Sequence, residues 1–123
     1  MTLRGSCLCG ACRFRVAGEV SAASACHCTM CRKTSGHAWA SARAPEESLT
    51  IEGPVRWFAA SESAERGFCP GCGASMFWRG HGEGMVSFAL GCVHGPTGLR
   101  IEKHIFTADK GDYYEIADGL PQS

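Results

Sequence analysis

The sequence predicts a mainly β fold held by cysteine clusters that bind metal. Three observations carry that prediction. Apolar and polar residues alternate in short segments that recur along the chain, bounded by glycine or proline. No segment keeps the 3.6-residue period of a long helix. Nine cysteines stand among 123 residues, most of them grouped at metal-ligand spacing. The length suits one domain, residues 1–123, and no linker, internal repeat or low-complexity run divides it.

After the opening Ser6-Cys7-Leu8-Cys9-Gly10-Ala11-Cys12, Arg13 to Ala17 alternate and end at Gly18, which predicts a strand. A short helical turn is expected over Met30 to Ser35, stopped by Gly36. His37 to Arg43 alternate again, and Pro45-Glu46-Glu47 marks a turn. Leu49 to Gly53 and Val55 to Ala59 read as the two strands of a hairpin, broken at Gly53-Pro54. Ser61 to Glu65 reads as a polar turn. Ser75 to Arg79 predicts a strand, Gly80 to Gly84 a flexible loop, and Met85 to Leu90 a central strand. A loop from Gly95 to Gly98 precedes Leu99 to Glu102, and Lys103 to Phe106 predicts a late strand. Asp112 to Ile116 is expected as a short turn packed on the body.

Composition narrows the function classes. Twelve basic and twelve acidic residues give a formal net charge of zero, without the basic footprint of a nucleic-acid binder. No apolar run reaches the ~18 residues that span a bilayer, so no membrane role is expected. An odd cysteine count, with no leader resembling a secretory signal, argues against a disulfide framework. The expectation is a reduced, cytoplasmic protein whose cysteines bind metal. Zinc is expected over iron for thiolate knuckles.

Two clusters carry the chemistry. In Cys26-His27-Cys28-Thr29-Met30-Cys31 three cysteines fall within six residues. In an extended segment Cys26 and Cys28 point to one side, and a turn after Thr29 brings Cys31 back towards them. Zinc takes four ligands, so three local thiolates leave one position open for a reactant. Cys92 or His94 could close that position and make the site structural. His27 points away from its neighbours in an extended segment and is discounted as a ligand. The second cluster is Cys69-Pro70-Gly71-Cys72-Gly73, a knuckle in which the glycine after the second cysteine permits the turn. It needs two more ligands. Cys9-Gly10-Ala11-Cys12 and Cys7-Leu8-Cys9 both offer a pair, and spacing favours the first.

Taken together, these motifs resemble the glutathione-dependent formaldehyde-activating enzyme and centromere protein V family. The matching elements are Gly5 to Ala11, Cys26 to Gly36, and Phe68 to Gly73, with a similar tail from Lys103 through Tyr114 to Pro121. The resemblance implies a zinc-bearing antiparallel fold, the β-tent. It also implies a structural zinc on Cys7, Cys9, Cys69 and Cys72, against the spacing preference, and a catalytic zinc on Cys26, Cys28 and Cys31. Cys12 stands where relatives often carry a small aliphatic residue and reads as a buried strand residue, and Cys92 reads the same way. Tyr113 stands where many relatives carry tryptophan.

The activity that the resemblance implies is condensation of glutathione with formaldehyde to S-(hydroxymethyl)glutathione, a carbon–sulfur lyase reaction run in reverse. The expected partners are therefore a small-molecule thiol such as glutathione and a carbonyl compound. His37 and His81 are candidate proton carriers, weighed against the ordinary role of exposed histidines. Arg32 and Lys33 could attract a carboxylate but more often are simply solvated. Trp39, Trp57 and Trp78 read as core. The rival readings are a non-catalytic zinc module that binds a partner, and a thiol- or metal-handling role.

Overall fold

A computed structural model describes residues 2–123. Its elements run β1 (Thr2–Ser6), β2 (Arg13–Ala17), β3 (Ala23–Cys26), α1 (Thr29–Ser35), β4 (Trp39–Pro45), β5 (Leu49–Glu52), β6 (Arg56–Ala59), β7 (Ala64–Phe68), β8 (Ser75–Gly80), β9 (Met85–Ala89) and β10 (Ile101–Ile105). Short 3-10 turns follow β4, β9 and β10. The fold is mainly β, as predicted.

The strands form two sheets. A three-stranded sheet has the order β1-β2-β5, and a seven-stranded sheet the order β10-β3-β4-β9-β8-β7-β6. All named pairs are antiparallel except β10 with β3. β9 sits fourth of seven, at the centre, as its apolar run predicts.

Alternation in β2 sends Phe14 and Val16 inward and leaves Arg13 and Arg15 in solvent. Phe14 meets Phe77 edge-on with ring centroids 5.4 Å apart, and Phe88 at 5.7 Å. These three rings from the two sheets are all buried and centre the core. Edge-on and tilted aromatic pairs at such spacing add to the area they bury. Gly5 is required where β1 crosses this core. A Cβ there would lie 2.4 Å from the Phe14 ring and 2.5 Å from the Cys92 carbonyl oxygen.

Several expectations are corrected. β1 and β3 were not foreseen as strands. β5 and β6 do not form a hairpin, because β5 joins β2 in the small sheet while β6 pairs with β7 in the large one. Gly53, at φ 97°, makes the bend, but the chain passes there from one sheet to the other. The run expected as a polar turn at Ser61 to Glu65 gives up its last two residues to β7, whose Ala64 and Arg66 are buried. Leu99 to Phe106, read as two pieces, yields one strand with a bulge between Ile101 and Lys103.

Candidate metal centres

The first centre joins the two sheets. Cys7 and Cys9 lie in the turn from β1 to β2, Cys69 and Cys72 in the turn from β7 to β8. The knuckle closes with the Gly73 N–H donating to the Cys69 carbonyl at 2.8 Å, Gly73 itself standing at φ 78°. The four sulfurs lie within 4.8 Å of one another. Cys7 Sγ is 3.6 Å from Cys9 Sγ, which is 3.7 Å from Cys69 Sγ. A tetrahedron of sulfurs about 2.3 Å from zinc has edges of about 3.8 Å. The donor set fits a zinc ion by chemistry and by size.

Cys12 lies outside this set. It opens towards β2, fully buried in the core with Phe14 and Val16, while its backbone N–H donates to Cys7 Sγ at 3.3 Å. Burial first, and then the nearby Cys69 sulfur, push its thiol up to about 12. The sequence preference for Cys9 with Cys12 is thus replaced by Cys7 with Cys9.

The second centre is built from one short piece of backbone. Cys26 is the last residue of β3, held between Trp39 of β4 and Ile105 of β10. Cys28 caps α1, its sulfur accepting from the Cys31 N–H at 3.3 Å. The helix turns Cys31 inward and stops at Gly36, whose φ of 84° is the left-handed cap that glycine takes without strain. The sulfurs of Cys26, Cys28 and Cys31 lie within 4.8 Å of one another. Among the described residues no fourth His, Cys, Asp or Glu donor joins them at that distance. Three soft thiolates at this spacing fit zinc with one position left over.

The three lie on a cavity of about 760 Å³. Its walls include Trp39, Trp78, Ile105 and Phe106, so two tryptophans read as core also face the site. The polar lining includes Lys103 and Arg66, which the sequence reading did not single out. Arg66 comes from the middle of β7 and donates through Nη2 to Cys31 Sγ at 3.4 Å. The Cys31 thiol is pulled down from 9.0 to about 6, first by its hydrogen bond with Cys26 and, against burial, by Arg66. Cys26 is pushed up by the same contact and by burial.

His27 turns to the back of the site. Its Nδ1 meets the Tyr114 hydroxyl, and its Nε2 lies 2.8 Å from His104 Nδ1. His104 Nε2 lies 2.7 Å from Asp118 Oδ2. Burial first, and then His104, hold His27 below its ordinary value. The four side chains thus form one hydrogen-bonded chain, Tyr114–His27–His104–Asp118. The tail thereby clamps the loop that carries Cys26 and Cys28.

The other candidates lie elsewhere. His37 packs edge-on against Tyr114 at 4.2 Å, and His81 lines a separate groove beside Arg79 and Glu46. Cys92 is half-buried between the two core clusters, in the 3-10 turn after β9. His94 Nε2 is 2.8 Å from Ser6 Oγ. Arg32 and Lys33 lie in the last turn of α1. No helix among the described residues is long and apolar enough to cross a membrane.

The chain is similar to known proteins to different depths. A crystal structure of a Rhodobacter sphaeroides protein superposes with a TM-score of 0.64 at 22% identity, over 76% of this chain and 89% of that one. That likeness concerns the fold. A relative from Schizosaccharomyces pombe, named an uncharacterized lyase, is 28% identical over 116 residues, which is 93% of this chain and 85% of its own. The family model of the glutathione-dependent formaldehyde-activating enzyme matches residues 2–109, a span that contains both cysteine clusters, and the chain belongs to that family.

Proposed function

We propose that the protein is a carbon–sulfur lyase-type enzyme, acting on a thiol adduct such as S-(hydroxymethyl)glutathione at the Cys26, Cys28 and Cys31 centre. The observation that carries this reading is the grouping of three cysteine sulfurs, with no fourth protein donor among the described residues, on a cavity of about 760 Å³. A closed four-ligand site has no such position to offer. The family and the lyase name of the yeast relative support the reaction class.

Two zinc ions per chain follow from the two clusters in this reading. The ion on Cys7, Cys9, Cys69 and Cys72 is structural and makes residues 1–123 one zinc-binding domain. A zinc ion on the tripod supplies Lewis acidity that favours the thiolate form of a sulfur ligand. The three cysteines orient that reactant, and the walls of Trp39, Trp78 and Ile105 limit water around it. In the forward direction the thiol sulfur bonds to the carbonyl carbon, the C=O π pair moves to oxygen, and the thiol's proton ends there. The reverse step breaks that carbon–sulfur bond and returns the proton to sulfur. His37 and His81 do not line the cavity, so proton transfer through solvent or through the reactants themselves is the reading kept. A reducing, cytoplasmic setting, in which thiols stay available to metal, belongs to the same reading.

Native mass spectrometry of the purified chain tests this, with and without glutathione and formaldehyde. Two zinc ions and a specific thiol adduct, lost in Cys28→Ser, are expected. A single zinc in the unaltered chain would overturn the tripod assignment, and two zinc ions with no adduct would overturn the thiol chemistry.

A further inference from the structure

Arg66 is a buried cation whose protein partners do not account for it. It is 5% exposed, in the middle of β7 between Phe58 of β6 and Trp78 of β8. A guanidinium stays charged at any pH a protein survives, so a buried one must face negative charge. Two arginines that are more exposed pair with carboxylates. Arg43 pairs with Glu83 at 2.7 Å, and Arg79 pairs with Glu65 at 2.5 Å while lying 3.8 Å over the Trp57 ring. Arg66 makes no ion pair with a carboxylate among the described residues. Its Nε and Nη1 are buried without a partner. Its Nη2 reaches Cys31 Sγ, and its carbon stands 5.9 Å from the Trp39 ring centroid.

Charge counting gives that position a meaning. Three thiolates around a divalent ion sum to minus one. With Arg66 beside them the group is neutral. An anionic reactant added to the tripod then brings this group to minus one, where without Arg66 it would reach minus two. Of the cavity's charged residues, Arg66 is the one that donates to a tripod sulfur. A neutral reactant makes no such demand. The four-cysteine centre has no arginine or lysine donating to its sulfurs among the described residues, and it needs none because it accepts no further ligand.

Resting on the tripod's proposed role, we propose that Arg66 is the positioning residue that lets this centre accept an anionic sulfur reactant in preference to a neutral donor. It acts through Cys31 and through its unspent charge.

The test uses the full chain loaded with cobalt(II), whose visible absorption reports a change of ligand. At one fixed pH, 2-mercaptoethanol and, separately, imidazole are added to the unaltered protein and to the Arg66→Met, Arg66→Gln and Arg66→Lys variants. The first probe binds as an anion and carries no carboxylate, and the second binds neutral. Loss of the charge is expected to weaken 2-mercaptoethanol by about tenfold or more, with imidazole changed less than about twofold. Arg66→Lys keeps the charge and should recover most of the loss. Should Arg66→Met fail to fold, Arg66→Gln keeps a donor without the charge and is expected to show the same selective loss. Equal weakening of both probes, or Arg66→Lys behaving like Arg66→Gln, would overturn the proposal. A tripod that takes up no cobalt in the unaltered chain overturns the proposed function and this inference with it. A tripod that loads normally in all variants, with an unchanged ratio, overturns this inference alone.

Discussion

The two cysteine centres use the same atoms and differ in almost everything around them. One gathers Cys7 and Cys9 with Cys69 and Cys72, from turns that belong to different sheets. The other takes Cys26, Cys28 and Cys31 from one strand end and one helical turn. A cross-link that closes a loop of some sixty residues restricts the unfolded chain by about 4 kcal/mol, and one spanning six residues by about 2 kcal/mol. The first centre also offers four sulfurs to a metal, whereas the second, among the described residues, offers three. The difference teaches that closure, both of the coordination shell and of the chain, marks the site that stabilises. In the proposed function the local, incomplete set does the chemistry, and less of the fold depends on it.

The largest expected effect breaks the comparison if it fails to appear. Cys69→Ser removes a buried ligand from the long-range centre, and metal binding at such a centre is coupled directly to folding. Loss of cooperative unfolding in circular dichroism is expected, with the chain recovered largely unfolded. Cys28→Ser should keep a cooperative transition, with a stability loss below about 2 kcal/mol in denaturant melts. Equal damage from the two variants would mean that the tripod is a structural staple as well. Between them falls Phe77→Ala, which empties the contact between sheets without touching either centre. A loss of about 3–5 kcal/mol is expected, with both metal ions retained at equilibrium.

A smaller effect sharpens the comparison, because the chain of His27, His104 and Asp118 adjoins the tripod loop and not the four-cysteine centre. His104→Ala leaves His27 Nε2 buried without its partner and detaches Asp118 from the clamp. An unsatisfied buried group of that kind costs about 1–3 kcal/mol. The expected signature is faster loss of one metal ion of two to a chelator, followed by native mass spectrometry, with the four-cysteine ion held as before. Faster loss of both ions would show that the clamp supports the whole fold and not the tripod.

The same contrast explains what could be read from the sequence. Signals confined to a few residues were legible: the alternation of Arg13 to Ala17, the stop at Gly36, the knuckle at Cys69 to Gly73, and the central strand from Met85. What depends on pairing across the chain was not. Ala23, Ser24 and Ala25 are small residues in a strand between β4 and the parallel β10, so their alternation carries little hydrophobic contrast. Gly53-Pro54 has the look of a hairpin turn, yet β5 and β6 find partners in different sheets. Spacing paired Cys9 with Cys12, but side chains two apart in the opening turn, not three, face the knuckle, and Cys12 goes to the core. Spacing left Cys7 with Cys9 as the second choice, and the family resemblance preferred it. Arg66 was passed over for a physical reason: a charge next to Ser61 to Glu65 looks solvated until the thiolates it faces are brought to it by α1. Its one local signal was its place on the face shared by Ala64, two residues before it, in a segment leading into the knuckle.

The smallest expected effect lies at the mouth of the tripod cavity. Phe106 follows β10 with φ 53° and ψ 41°, the only non-glycine residue at positive φ among the described residues. It is 58% exposed and lines the cavity. A bulky side chain held in the left-handed region costs roughly 1–2 kcal/mol, and such strain gathers where a side chain is placed for function. Asparagine tolerates that conformation better. Phe106→Asn should therefore leave stability unchanged or raise it by about 0.5–1 kcal/mol in thermal melts, while weakening a thiol ligand by removing an apolar wall. The four-cysteine centre offers no counterpart, since the turns that build it place glycine at their positive-φ positions, Gly10 and Gly73. A stabilised variant with undiminished thiol binding would remove Phe106 from the site. A destabilised variant would show that the ring is held there by packing, and the strain at the tripod's mouth would then be structural in origin, as it is nowhere in the other centre.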